Sequence, residues 1–110
     1  MRIDPHRLAE RRSLALHRVI AQRLALDPSM IEGARARVRT RVGSGAMATG
    51  YAARWLALLD GSREVLLATL VDECEDAVAL RQSTPFTFVV GPRERWRLWR
   101  EVRAEAEAAE

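Results

Sequence analysis

Four arginines alternate with small or branched residues in the stretch GARARVRTRVGSG, which covers residues 33–45. In a β-strand, successive side chains point to opposite faces, so the four arginines would form one cationic row that suits nucleic acid. In an α-helix, the same arginines would separate into two pairs on different flanks. The period of this stretch therefore bears on both the fold class and the function.

The residues around the arginines have the period and the end signals of a helix. Asp27 is a favourable N-cap, and Pro28 is a favourable first helical residue. The GSG sequence after the arginines is typical of a helix end. The apolar positions in between have the spacing of one helical stripe and are Ile31, Ala34, Val38 and Val42. We therefore predict a helix over residues 28–42, with Arg35 and Arg39 on one flank and the other two arginines on another.

Helical periodicity continues through most of the remaining chain. The length of 110 residues suits one domain with one modest hydrophobic core. We therefore predict an all-α fold, a single compact domain of five or six helices. The predicted helices cover approximately residues 5–26, 28–42, 51–60, 62–71, 73–82 and 92–108, and a linker covers residues 43–50.

The sequence QSTPFTFVVGP interrupts the helical pattern. Prolines at both ends bracket an apolar run from Phe86 to Val90. Aromatic and β-branched residues between prolines favour an extended segment, which we predict over residues 84–91. An exposed segment of this kind is prone to aggregation, so we expect this chain or a partner to cover residues 86–90.

The helical stripes and the apolar run predict the hydrophobic core. Burial removes their apolar surface from water, which is the main favourable contribution to folding. The residues expected in the core are Leu16, Ile20, Leu24, Ile31, Val38, Trp55, Leu58, Leu66, Leu70, Phe86, Trp96 and Trp99.

All 18 basic residues are arginine, and 15 acidic residues leave a formal net charge of +3. The sequence pI of 10.3 mainly reflects the very high pKa of arginine, so it does not by itself indicate a nucleic-acid partner. The single cysteine, Cys74, cannot form an internal disulfide, in agreement with a reducing compartment. The sequence has no apolar run of membrane-spanning length and no apolar signal-peptide core near its start. We therefore expect a cytoplasmic protein without membrane contact.

One catalytic pattern is present. The sequence RRSLALH, residues 11–17, matches the R-x(4-6)-H spacing of the helical ribonucleases called HEPN domains. In that chemistry the imidazole of His17 would act as acid or base, and an arginine would contact a phosphate oxygen. On a helix, however, Arg11 and Arg12 lie about 120° and about 140° from His17, so neither pair shares a face. A HEPN-like ribonuclease therefore stays an alternative, and we expect a half-exposed histidine without a chemical role.

No other pattern predicts an active site, a metal site or a cofactor. The acidic run DECED, residues 72–76, is typical of the first turn of a helix. It lacks the fixed loop and the additional oxygen ligands that a hard cation needs. We therefore predict a protein that is not an enzyme and that uses no cofactor and no metal.

The last helix carries three kinds of residue in RERWRLWREVR. Its apolar residues form the face that we expect in the core, its glutamates a second face and its arginines a third. Arginine suits partner contacts because its guanidinium group binds carboxylates in a bidentate way. The residues predicted to bind a partner are Arg35, Arg39, Phe86, Phe88, Arg93, Arg97 and Arg100.

Three stretches of the chain carry a family resemblance. They are LHRVIAQRL near the start, LVDECEDAVALRQSTPF in the middle and PRERWRLWREVR near the end. Together they resemble small helical proteins of bacteria that are encoded beside a toxin gene and act as antitoxins or antitoxin-like partners. The resemblance covers residues 16–103 and implies a protein-interaction module that neutralises a toxin. It implies no defined site residue.

Two further alternatives concern the partner. A nucleic-acid-binding helical module would use the arginines of the second helix and of the last helix, although the interleaved glutamates of the last helix would repel phosphates. A homo-oligomer is also left open. The sequence favours a protein partner, a toxin, over nucleic acid.

Overall fold

The computed structural model describes residues 4–109, and these residues form six α-helices and one 3-10 turn. The helices are α1 (Pro5–Leu26), α2 (Met30–Gly43), α3 (Thr49–Asp60), α4 (Arg63–Leu70), α5 (Glu75–Arg81) and α6 (Pro92–Ala108). The 3-10 turn covers Thr87–Val89. No β-strand is present in residues 4–109, and the predicted all-α fold is confirmed.

Local signals explain several helix boundaries. α1 begins where the sequence predicts, because Asp4 accepts a hydrogen bond from the His6 backbone N–H at 2.9 Å and Pro5 occupies the first helical position. Ser62 caps α4 similarly, since its hydroxyl oxygen accepts from the Val65 N–H at 3.2 Å. The sequence therefore encodes these boundaries locally.

α2 begins two residues later than predicted, at Met30 rather than Pro28. The carboxylate of Asp27 accepts a hydrogen bond from the Ser29 N–H at 3.1 Å. It therefore stabilises the turn between α1 and α2 rather than the first turn of α2. The linker before α3 is shorter than predicted, since α3 begins at Thr49.

α1 is the central helix of the fold. It packs against both α6 and α4, while α2 packs against α3. α1 and α6 run antiparallel: Arg23 near the end of α1 binds Glu94 near the start of α6, and Leu8 near the start of α1 clusters with Val102. The main core contains Trp55, which is fully buried. α6 therefore covers one side of α1 along most of its length.

This chain covers most of the segment of residues 84–91, with Phe88 left partly exposed, but the segment is not extended as predicted. It contains the 3-10 turn Thr87–Val89, in which the Val89 N–H donates to the Phe86 carbonyl at 3.0 Å. Phe86 and Val90 are buried in the core. A turn pairs backbone groups within the segment, whereas an extended segment would need a neighbouring strand, which an all-α fold does not supply.

Two arginines from other helices hold this segment in place. Arg41 of α2 donates to the Thr84 carbonyl at 2.7 Å, and Arg23 of α1 donates to the Val89 carbonyl at 2.8 Å. A hydrogen bond to a charged group typically contributes about 1.5–3 kcal/mol. The position of the segment therefore depends on side chains that lie far away in the sequence.

The arginine stretch is helical, as its period predicts. Arg37 and Arg41 share the flank of α2 that faces this segment, where the Arg37 guanidinium lies over the Phe88 ring. Arg35 lies on another flank and forms an ion pair with Asp60 at the end of α3 (2.8 Å). Three of the four arginines thus connect α2 to other elements of the same chain, and they do not form a cationic row.

The predicted core is largely confirmed. Its buried members are Leu16, Ile20, Leu24, Val38, Trp55, Leu66, Leu70 and Phe86. Ile31, Leu58 and Trp99 are partly buried against this core. Trp96 is the exception, because it exposes 63 % of its surface, and its predicted core position is wrong.

Candidate functional site

α6 presents two stripes of residues with different surroundings. The stripe that packs against α1 and the core consists of Leu98, Trp99, Val102 and Ala106. The solvent-exposed stripe consists of Arg93, Trp96, Arg97 and Arg100, at positions i, i+3, i+4 and i+7. We call these four exposed residues the Arg-Trp stripe. Arg97 and Trp99 are two positions apart, or about 200° around the helix axis, so the two stripes face nearly opposite directions.

The Arg-Trp stripe is accessible along its whole length. Trp96 exposes 63 % of its surface, although tryptophan is highly buried on average. The three arginines are exposed as well. Within residues 4–109, none of their guanidinium groups forms a salt bridge. The stripe therefore combines an apolar ring with three guanidinium groups that form no salt bridge within the described residues.

The first glutamate of α6 is hydrogen-bonded to α1. Glu94 accepts hydrogen bonds from Arg23, one of them 3.2 Å long. Because Arg23 donates to it, the pKa of the Glu94 carboxyl lies below its usual range. The same hydrogen bond raises the pKa of Arg23. The pair joins α1 and α6, and the Glu94 carboxylate accepts its hydrogen bonds from Arg23.

The Arg-Trp stripe has the chemistry of a binding surface. Tryptophan and arginine are the residue types most enriched among those that dominate binding energy at protein interfaces. The indole ring offers a large rigid apolar area and one N–H donor. A guanidinium group can bind a carboxylate through two parallel hydrogen bonds. Such a stripe can bind an apolar pocket that is surrounded by acidic side chains.

The structure brings three of the predicted partner-binding residues into this stripe and places the other four elsewhere. Phe86 is fully buried in the core and offers no surface for the partner contact predicted there. Phe88 exposes 37 % of its surface beside α2. The Arg35 side chain is only 16 % exposed and is bound to Asp60. Arg39 is exposed on α2.

Trp96 is the site residue that the sequence interpretation missed. Its identity as a large aromatic residue indicated the core, whereas its register also allows a position on the side of the arginines. Trp96 lies three positions after Arg93 and four before Arg100, so it shares their side of the helix. Trp96 also lies three positions before Trp99 of the buried stripe, so the register places it between the two stripes, and the packing of α6 decides its exposure.

A smaller contact forms where Phe88 meets α2. The Arg37 guanidinium lies 3.7 Å from the centre of the Phe88 ring, a cation–π arrangement. Gly33 lies under the edge of that ring, and a Cβ atom added there would come within 3.0 Å of it. The glycine therefore gives Phe88 room to lie against α2.

We expect Gly33→Ala to stabilise the Phe88→Ala protein by about 1 kcal/mol, because alanine is a better helix former than glycine. In the wild-type background the same substitution should stabilise by less than half as much, since the new methyl group meets the ring. Urea unfolding of the four proteins in this double-mutant cycle measures the difference. Equal effects in both backgrounds would show that the ring does not restrict this position.

The R-x(4-6)-H pattern does not form an accessible site in the structure. His17 was expected to be half-exposed, but none of its surface is exposed, and its Nδ1 lies 2.7 Å from the Ser13 carbonyl. The pKa of His17 is lowered to about 4, chiefly by burial and to a smaller extent by the nearby charge of Arg81, while the hydrogen bond with the Ser13 carbonyl opposes the shift. Arg12 is turned towards Trp99, at 6.0 Å from the ring centre. A phosphate group therefore cannot touch His17 and an arginine of this pattern together.

Comparisons of the chain with known protein families, with curated proteins and with solved structures found no match. Of the helices in residues 4–109, none combines the length and the apolar character needed to cross a membrane.

Proposed function

We propose that this chain is a non-enzymatic protein-interaction module that binds its partner through the Arg-Trp stripe. The observation that carries the proposal is the 63 % exposure of Trp96 between arginines that form no salt bridge within the described residues. Its most concrete form is an antitoxin-like protein that neutralises a bacterial toxin in the cytoplasm, as the sequence resemblance implies.

The chemistry of the stripe defines the partner surface. Exposed tryptophan carries an unfavourable hydration cost of roughly 25 cal/mol per Å² of apolar area, which a partner pocket would remove. The three arginines favour carboxylates around that pocket, because complementary charges speed association and like charges disfavour other partners. The partner is therefore a protein with an apolar pocket rimmed by aspartate or glutamate.

The arrangement of the arginines supports a protein partner over nucleic acid. Arg35 is already bound to Asp60 and Glu32, so it is not available for phosphates. Arg41 is bound to the Thr84 carbonyl. These two arginines of α2 are therefore not available to bind nucleic acid. The Arg-Trp stripe is shorter than the positively charged grooves that follow a phosphate backbone.

The first experiment is co-expression with the product of the neighbouring gene. If that gene encodes a kinase-like, nucleotidyltransferase-like or nuclease toxin, we expect this protein to rescue growth and to co-purify with the toxin. A toxin that still arrests growth and does not co-purify would contradict the antitoxin form of the proposal.

We expect Trp96→Ala to weaken binding to this partner at least about 30-fold, because removing a central interface residue costs about 2 kcal/mol or more. Isothermal titration calorimetry measures the affinity. Leu26→Ala is the matched control, since Leu26 is 88 % exposed at the end of α1 and lies outside the stripe. Equal affinities of both variants would place the interface elsewhere.

If nucleic acid or a second copy of this chain bound the Arg-Trp stripe instead of a protein partner, the experiments would give different results. Single-stranded nucleic acid would bind without any protein partner, with an affinity that falls steeply with salt and falls further in Arg97→Gln. A second copy of this chain would appear as a dimer in analytical ultracentrifugation and would dissociate in Trp96→Ala. Either result would overturn the proposed partner class.

A further inference from the structure

A cleft lies between α1 and α5, and none of the residues that line it belongs to the Arg-Trp stripe. It consists of two adjoining cavities of about 120 and about 280 Å³. Glu10, Val78 and Arg81 line both cavities, so the two volumes meet at these side chains. One water molecule occupies roughly 30 Å³ of the liquid. The cleft therefore has room for a small ligand of a few heavy atoms.

Arg81 is the buried cation of this cleft. It exposes only 4 % of its surface, and its Nη1 donates to the carbonyls of Leu70 (3.2 Å) and Asp72 (2.6 Å). Its Nε–H has no hydrogen-bond partner among the described residues. Burial lowers the pKa of this guanidinium. The negative charges of Asp72 and Glu73 raise the pKa, but they offset the effect of burial only in part. A buried charge that its surroundings compensate only in part costs free energy, so an anion in the cleft beside Arg81 would be favourable.

Other side chains of the cleft add donors and charge. Arg7 and Arg11 are exposed and line the larger cavity, together with Glu10 and Glu73. With Arg81, the arginines outnumber the carboxylates there by three to two. Ser13 lines the smaller cavity and has a hydroxyl group that can donate to a ligand.

We propose that this cleft binds a small oxyanion of the phosphate or sulfate type, with Arg81 at its base and Arg11 at its mouth. Such an anion accepts hydrogen bonds from several donors at once and compensates a buried guanidinium charge. Glu10 repels the anion, which limits the affinity and provides a specific test.

The experiment is a titration of the full chain with inorganic phosphate, with sodium chloride adjusted to hold the ionic strength constant. The Arg81 Nε–H signal in nitrogen-15 NMR spectra is the direct readout. We expect it to shift along a saturating curve. Glu10→Gln should tighten binding about fivefold, and Arg11→Gln should weaken it by a similar factor, as for exposed charge pairs. Both residues are exposed, so neither substitution removes buried contacts.

Arg54→Gln is the control for net charge, because Arg54 is exposed on α3 and does not line the cleft. An Arg81 signal that does not respond to phosphate, or equal affinities of Arg54→Gln and Arg11→Gln, would overturn the proposal. Trp96→Ala should bind phosphate like the wild-type protein. The outcome at the cleft is therefore independent of the outcome at the Arg-Trp stripe.

Discussion

Phe86→Ala is expected to lower the free energy of unfolding by about 3–5 kcal/mol, the usual cost of truncating a buried phenylalanine. Phe86 has no exposed surface, and its ring meets the Trp55 ring edge-on, with the ring centres 6.0 Å apart. Removing the ring leaves a cavity beside Trp55 and loosens the segment of residues 84–91. Such a loss is a large part of the 5–15 kcal/mol that stabilises a typical domain.

Phe88→Ala is the matched control, because it removes the same side chain two residues away. Phe88 is 37 % exposed and lies against Arg37 and Gly33, so we expect a loss of about 1 kcal/mol. Urea unfolding followed by circular dichroism gives both values, provided that the denaturant slopes agree. Losses of equal size would contradict the burial of one phenylalanine and the exposure of the other.

Acidification is expected to destabilise the protein through His17, by up to about 3 kcal/mol. The pKa of His17 is about 4 in the folded state, against 6.5 for an unperturbed histidine, chiefly because the ring is buried. The unfolded chain therefore binds a proton more readily than the folded chain. The stability contribution of the neutral ring is complete above pH 6.5 and is lost as the pH falls towards 4.

Unfolding free energies measured between pH 4 and pH 7 test this expectation. His17→Gln should lose most of the decline in stability between pH 6.5 and pH 4, whereas His6→Gln should retain it, since His6 is exposed on the first turn of α1. The comparison separates His17 from the carboxylates that also titrate at low pH. A decline that is unchanged in His17→Gln would show that another group causes it.

The sequence by itself determined the helical elements and most of the core. α1 covers Pro5–Leu26 and α6 covers Pro92–Ala108, as predicted, because their start signals and apolar periods are local properties. The same local information showed that the arginine stretch is a helix. Periodicity also identified three members of the Arg-Trp stripe, Arg93, Arg97 and Arg100, as one face of α6.

Only the tertiary structure decided which side chains of these elements find partners within the chain. Phe86 is buried, and Trp96 is exposed, although both are large aromatic residues. Arg41 binds the carbonyl of Thr84, 43 residues away, and thereby positions a segment whose own sequence suggested an extended conformation. The reason is physical: burial and hydrogen bonding depend on which distant groups the packing of helices brings within a few ångströms, and local periodicity carries no information on that distance.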